Sequence, residues 1–440
     1  MSDDGRRVAI VGGGFSGAML AARLAERGIA SSLIERTGTF GPGLAYATPF
    51  DGNLLNVRAG RMGAVDGRPD EFVRWLEANH PDHADPEGFA PRRLYGLYVQ
   101  DRLAAAEAMH PGRIERVTGE AAAIEGIRVR LAKGRTIEAG AVVLATGNPA
   151  PRTAGVDARI IGNPWAPGAL ERIGAKDDIV LIGAGLTMVD MLLWLSALGW
   201  TGRATALSRH GLTPRAHGLA QDVPLPPTGA LTSGTPSRRL AEARRLARGG
   251  DWRGVMEGLR PITSDLWAQA DTTTRARWLR HLRPWWDVHR HRISAPVAAA
   301  LARLEAEGRL RIVAGRVRRI GTSAEDVTVD WSPRHGADQP ALGGRWLIDC
   351  SGPAHDPATD ALFGPLIAAG RARLDPLKLG LDLDQDGRVL DGDGRPDPRL
   401  FVLGPPARAA FWETIAVPDI RKRIEALADR LSDLQSSASR

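Results

Sequence analysis

Two stretches of this chain repeat one order of events. Arg7 to Val11 is a short β-branched run, followed by Gly12-Gly13-Gly14-Phe15-Ser16-Gly17 and a helical pattern from Ala18 to Arg27. Asp178 to Ile182 is a second such run, followed by Gly183-Ala184-Gly185-Leu186-Thr187-Met188 and a helical pattern from Val189 to Leu198. A strand that turns into a helix through glycines leaves the first helical amides unpaired and pointing outward. Those amides and the positive end of the helix dipole make each turn an anion site. A chain with two such units is committed to an α/β architecture with parallel strands.

In the first unit each part has a task. Gly12 permits the tight turn, Gly14 lets a pyrophosphate reach the backbone, and Gly17 lets the helix pack on the strand. Gly28 sits where the helix should stop. The next run, Ser31 to Ile34, ends in Glu35, whose carboxylate is placed to accept ribose hydroxyls. The second unit departs from this pattern. Met188 stands where the third glycine would be, and the strand Ala204 to Leu207 ends in Ser208-Arg209-His210 instead of an acid. An acid there selects a free 2′-hydroxyl, whereas an arginine pairs with a 2′-phosphate. Gly183, Gly185, Leu186, Thr187, Ser208 and Arg209 therefore read as an NADPH site. NADH is the alternative, and a degenerate copy that binds nothing is the bland reading.

Two dinucleotide units in one chain point to a flavoprotein, with FAD in the first and the nicotinamide brought by the second. Later segments fit. Ala141 to Leu144 is a buried-strand pattern ending in Thr146-Gly147, suited to returning beside the first turn. Leu400 to Leu403 is a late strand followed by Gly404, then by Thr414-Ile415-Ala416 and a helix expected from Ile420. The N-terminus of that helix could stabilise negative charge on a reduced flavin.

Composition narrows the rest. The chain has 440 residues, 43% hydrophobic and 25% charged, which suits two or three globular domains and excludes a collagen-like fibre or wholesale disorder. No apolar run reaches the roughly 18–20 residues of a spanning helix. Met1 to Arg7 is polar and shows no secretory pattern. The single cysteine, Cys350, cannot form an internal disulfide or a cysteine-cluster metal site, so a reduced, cytoplasmic protein without metal is expected. The absence of a Cys-x-x-Cys pair excludes dithiol reductase chemistry. Cys350 itself reads as a small buried residue at a flavin-side turn. His289 and His291 cannot share an ion from one helix, because positions two apart point to different faces. The net charge is +7, yet only four of the 58 basic residues are lysine, and they are spread along the chain. This reads as a solvated surface that favours anionic ligands rather than a nucleic-acid footprint.

At these residues the chain resembles the FAD/NAD(P)-binding proteins that include flavin-dependent urate hydroxylase and the nitrosuccinate-forming aspartate N-hydroxylase. The matching pieces occur in order along nearly the whole chain. They are GGGFSG (Gly12–Gly17), GPGLAYAT (Gly41–Thr48), LLNVRAGRMG (Leu54–Gly63), IGAGLTMVD (Ile182–Asp190), SRHGLTPRAH (Ser208–His217), LRPWWDVHRHR (Leu282–Arg292), DCSGP (Asp349–Pro353) and GPPARAAFWETIAVPDIR (Gly404–Arg421). The resemblance implies FAD contacts at Gly12, Gly14, Phe15, Ser16, Gly17, Glu35 and Arg36. It also implies that the segment from Gly41 through Gly43 to Tyr46, and the segment from Asn56 to Met62, line the ring side of the flavin. Tyr46 and Asn56 become the candidate catalytic residues, though each equally suits a structural hydrogen bond.

The expected architecture is therefore two interleaved Rossmann-like, three-layer domains with a helical insert. The FAD domain covers 1–160 and 345–440, and the NAD(P)H domain covers 161–344 with an Arg- and Trp-rich helical insert at about 238–308. Gln221 to Ser237 reads as a loop, Arg311 to Ile320 with Val327 to Trp331 as a hairpin, and the tail from Ser432 as frayed. The resemblance implies an NADPH-dependent FAD monooxygenase that takes O₂ and a small electron-rich substrate through a flavin C4a-hydroperoxide. Urate is the leading substrate and an amino-acid amine the alternative. An NADPH-driven reductase without oxygen transfer and a non-catalytic dinucleotide sensor are the rival classes. No membrane or nucleic-acid partner is expected, and the oligomeric state is open.

Overall fold

The computed structural model describes residues 7–149, 157–219, 222–249, 251–352 and 356–438. It opens with β1 (Val8–Val11), α1 (Phe15–Glu26) and β2 (Ser31–Glu35). A short helix, α2 (Gly43–Tyr46), follows, then α3 (Glu71–Asn79), α4 (Arg92–Met109) and β3 (Ile114–Thr118). A three-stranded antiparallel sheet of β4 (Ala121–Glu125), β5 (Arg128–Leu131) and β6 (Thr136–Ile137) precedes β7 (Ala141–Leu144).

β7 runs parallel to β1, with Val8 opposite Ala141, on the side away from β2. The second unit repeats the plan. β8 (Ile160–Ile161) and β9 (Ile179–Ile182) lead into α5 (Leu186–Ala197) and β10 (Ala204–Ser208). A helical stretch follows: α6 (Gly229–Thr232), α7 (Pro236–Ala247), α8 (Trp252–Leu259), α9 (Thr263–Ala268), α10 (Thr272–His281) and α11 (Arg283–Arg290). Then come α12 (Ala295–Ala306), β11 (Leu310–Thr322), β12 (Val327–Pro333), β13 (Leu342–Gly344) and β14 (Trp346–Asp349). The chain closes with α13 (Phe363–Ala368), β15 (Arg388–Leu390), β16 (Pro396–Val402) and α14 (Val417–Ala438).

Two large sheets result. The first has the order β15-β16-β7-β1-β2-β3, so the late strand β16 returns to pair with β7. The second has the order β13-β12-β11-β10-β9-β14-β8. In each, the strand before the glycine turn lies between two parallel neighbours reached in opposite directions. That reversal opens a crevice at the carboxyl ends of the strands.

Strand alternation sets the layers. Val8, Ile10 and Leu33 face α1, α4 and α14, whereas Ala9, Val11 and Ile34 face the three-stranded sheet and α13. In the second domain Ile179 and Leu181 face α5 and α12, while Val180 and Leu207 face β12. The outer layer of each sheet is thus helical on one side and largely β on the other.

Several boundaries differ from those the sequence suggests. β14 pairs in parallel with β9, and β8 pairs with β14, so Ile160–Ile161 and Trp346–Asp349 both lie in the second sheet. The return to the first domain therefore comes after residue 349 and not at 345, and the departure comes before 160. A short apolar run fits a buried strand of either sheet, and only the non-local partner decides. Cys350 accordingly lies against the second glycine turn: a Cβ at Gly183 would meet its carbonyl.

α12 packs on α5 and β11 as the connection between β10 and β11, so the insert proper spans α6 to α11. α6 and the start of α7 fall inside the expected loop at Gln221 to Ser237, of which Gln221 lies outside the described residues. Pro353 of the DCSGP segment also lies outside them. α14 starts at Val417, before Pro418, and continues through the supposedly frayed tail to Ala438. Leu434 holds that end against the core. No described helix is long and apolar enough to cross a membrane.

Candidate functional site

The first crevice is built by four segments that meet at the N-terminus of α1. Gly12 ends β1 with φ +111°, and a Cβ there would collide with the carbonyl oxygen of Ala145 and crowd Thr146. The turn after β7, carrying Thr146 and Gly147, therefore lies directly on the glycine turn. The Gly41-Pro42-Gly43 loop docks on its other side. Gly41 N–H donates to the Gly13 carbonyl at 2.7 Å, and the backbones of Gly14 and Gly43 touch so closely that a Cβ on Gly43 would lie 3.0 Å from the Cα of Gly14. Gly404 lies against Ser16, and its carbonyl accepts a hydrogen bond from the Thr414 hydroxyl at 3.3 Å. The glycine turn, Thr146-Gly147, Gly41–Tyr46 and Gly404–Ala416 are thus one place in space.

Its electrostatics suit a phosphate. α1 begins after Gly14 with no side-chain cap, and α5 begins after Gly185 in the same way. By contrast, Thr235, Asp251 and Asp271 cap α7, α8 and α10 with their side chains. An uncapped start keeps the first amides available for an external anion. Glu35 stands at the end of β2 as expected. Its carboxylate also accepts from Gly13 N–H at 2.9 Å and from Thr37, so it fixes the turn as well as facing the crevice. Arg36 beside it is exposed. Phe15 and Ser16 are buried at the head of α1.

Tyr46 is half-buried, its ring against Tyr95 at 4.7 Å and Phe15 at 6.5 Å. Burial pushes its phenol up to about 12, opposed by Arg92, so the hydroxyl stays protonated at neutral pH. It can donate a hydrogen bond but cannot act as a base. Met62 is buried in the first core. Asn56 is half-buried, and its backbone carbonyl is held 3.0 Å from His217 Nε2. That contact fixes the tautomer, because a carbonyl can only accept. Burial, followed by the charge of Arg292, drives the His217 imidazole down to about 3. His217 is therefore neutral under ordinary conditions. Nothing local in the sequence signals this contact, since 161 residues separate the partners.

The second crevice holds Gly183, Gly185, Leu186 and Thr187 at the head of α5, with Met188 buried in the second core. Ser208 ends β10 and its hydroxyl accepts from Gly211 N–H at 3.1 Å, while Arg209 is exposed. Arg334, which the sequence does not single out, joins them. Its backbone N–H bonds Ala314, the register partner of Ser208, and its guanidinium contacts His210. The strand end thus brings Arg334 beside the Ser208-Arg209-His210 turn.

The helical insert is fastened to the first domain by buried polar contacts. Trp267 N–H donates to the Ala409 carbonyl at 2.8 Å, and Trp286 N–H donates to Glu413 at 2.9 Å. Glu413 is 1% exposed and also pairs with Arg290 at 3.0 Å. Burial alone would raise the Glu413 carboxyl, but Arg290 and His291 outweigh it and hold it low. Arg61 of the Asn56–Met62 segment pairs with Glu257 of α8 at 2.9 Å. Arg92 of α4 forks onto Asp190 of α5 at 2.8 and 3.2 Å, tying the two sheet domains together. His289 is engaged by the Trp285 carbonyl at 2.7 Å. Among the described residues, no group of three or more His, Cys, Asp or Glu is placed to hold a metal ion.

Residues 9–149 match a protein family described as FAD-NAD(P)-binding. The fold is that of a two-dinucleotide flavoprotein. The ornithine N-hydroxylase of Kutzneria sp. 744, in a form named with reduced FAD, NADP⁺ and L-ornithine, superimposes with a TM-score of 0.64 at 18% identity, covering 97% of this chain and 98% of that one. The L-lysine 6-monooxygenase of Pseudomonas syringae gives 0.64 at 16% identity over 97% and 99%. The thioredoxin reductase of T. acidophilum gives 0.54 at 12% identity over 99% and 100%. At these identities the likeness establishes the fold. No curated protein sequence matches the chain.

Proposed function

We propose that this flavoprotein is an NADPH-dependent FAD monooxygenase that oxygenates an amine nitrogen. The observation that carries the reading is the likeness to the ornithine N-hydroxylase, which runs through both nucleotide domains and the insert alike. FAD, when bound, supplies the hydride acceptance and the activation of O₂. The chain's own residues supply placement. The uncapped head of α1 and the Gly14–Gly43 contact leave a backbone cradle for the pyrophosphate, and Glu35 takes the ribose. Arg209 and Arg334 take the 2′-phosphate of NADPH. Tyr46 offers a hydrogen bond from a neutral phenol, while Asn56 is positioned by His217. The insert, pinned through Trp267, Trp286 and Arg290, keeps water from the ring side, and the head of α14 favours negative charge there.

Urate, the first substrate suggested by the motifs, gains no support from the ornithine and lysine hydroxylases, whose names speak of amines. Nitrogen oxygenation is the better reading of the two. A thiol reductase reading is disfavoured despite the shared fold, because the only cysteine is buried and its thiol is pushed well up by burial. The test is NADPH consumption by FAD-loaded protein against a panel of amino acids, diamines and urate, with hydroxylamine and peroxide measured in parallel. An amine that accelerates NADPH use and yields hydroxylamine is the expected result. Acceleration only by quinone or dye acceptors, with no oxygenated product from any amine, would overturn it in favour of a reductase.

A further inference from the structure

The insert contains a cavity of about 420 Å³, within the range of small-molecule sites. α7, α8, α10 and α11 wall it, and six of the chain's 12 tryptophans line it: Trp252, Trp267, Trp278, Trp285, Trp286 and Trp412. Leu240, Val255, Met256 and Leu259 supply aliphatic wall. The cavity shares one segment with the first crevice. Trp412 belongs to the Gly404–Ala416 segment and packs with its ring tilted 32° against Trp267 at 4.7 Å, and Trp267 bonds the Ala409 carbonyl.

The charge of the lining decides what fits. The polar residues around the cavity are Arg239, Arg244, Arg275, His289, Thr263 and Thr274, and no acid is among them. Arg275 is engaged by the Trp267 and Ala268 carbonyls and lies over the Trp267 ring. Among the described residues Arg239 has no carboxylate partner, and its Nε is buried without a hydrogen bond. Arg239 is otherwise half-exposed at the cavity wall, and an incoming carboxylate would give its Nε–H an acceptor. A ligand with an ammonium head would find no carboxylate in the lining and three arginines to repel it.

We propose that this cavity binds an amphipathic monoanion: an alkyl or aryl body seated among the tryptophans, with its carboxylate on Arg239. The site differs in chemistry from one that would seat the charged side chain of ornithine or lysine. It is also independent of the oxygenation reading, since binding needs neither NADPH nor turnover.

The test uses the FAD-loaded, full-length protein and three probes of equal chain length: decanoate, decylamine and decanol. Tryptophan fluorescence and titration calorimetry read binding. Decanoate is expected to bind saturably, one per chain, and at least tenfold tighter than decylamine. R239A weakens decanoate about tenfold and leaves decanol unchanged. A243W fills the cavity from α7 and abolishes binding of both, with A247W, one turn along, as the second filling variant. Retained flavin shows that each variant is folded. Equal affinity for acid and amine, decanoate binding unaffected by both filling variants, or no saturable decanoate binding would each overturn the proposal. None of these outcomes bears on whether NADPH reduces the flavin, so failure here is distinguishable from failure of the oxygenase reading.

Discussion

At the scale of single residues, His217 shows how burial sets chemistry. Its imidazole titrates near 3 in the folded chain against an ordinary value of about 6.5. Between these values the unfolded chain binds a proton that the folded chain refuses. Stability from this residue is therefore complete above about 6.5 and is lost as pH falls toward 3. Replacing His217 by Gln, which still donates to the Asn56 carbonyl, should flatten that acid loss by up to about 1.4 kcal/mol per pH unit, read by denaturant unfolding at a series of pH values. An unchanged slope would show that the imidazole is not held neutral. Arg209 and Arg334 give a second residue-scale prediction. Arg209→Ala or Arg334→Ala should raise KM for NADPH roughly tenfold or more and leave NADH unchanged, as removal of a charge-assisted bond to a 2′-phosphate requires. Equal effects on both nucleotides would place these arginines elsewhere. Arg209 was readable because it directly follows a strand of the repeated unit. Arg334 was not, because it reaches the same strand end from the far side of a hairpin.

At the scale of elements, α4 and α5 are joined by Arg92 and Asp190, whose carboxylate is 8% exposed. Burial raises the Asp190 carboxyl, while Arg92 opposes the rise. Removing one partner leaves an uncompensated buried charge, which costs about 3–5 kcal/mol. Arg92→Ala should therefore destabilise the protein by that order in denaturant unfolding, and Arg92→Ala with Asp190→Leu should recover part of the loss. A single variant as stable as the parent would show that the pair is not buried in solution.

Element boundaries also show what sequence can and cannot carry. The strand–glycine–helix units were legible because everything that defines them is local. The start of α14 was missed because Pro418 reads as a stop, although proline is well tolerated in the first turn of a helix. The tail was read by its serines, and Leu434 outweighs them by packing on the core. The four-residue apolar run of β14 carries no label for its sheet, and only its pairing with β9 places it in the second.

At the scale of the whole molecule, the two sheet domains and the insert are joined by buried polar ties. Glu413 lies at the centre of the insert's attachment, bonded by Trp286 and paired with Arg290. Glu413→Gln keeps the shape and removes the charge that Arg290 and His291 hold in place. It should loosen the insert and raise uncoupled peroxide release per NADPH several-fold, measured as the ratio of peroxide to NADPH consumed. An unchanged ratio would show that the insert does not guard the ring side.

The most direct test of the oxygenase reading is rapid mixing. FAD-loaded protein is reduced by NADPH without oxygen, mixed with O₂, and followed by absorbance through the flavin bands. The account predicts a transient species, distinct from reduced and oxidised flavin, whose formation depends on oxygen concentration. A single-step return to oxidised flavin at every oxygen concentration, with and without amines, would contradict it.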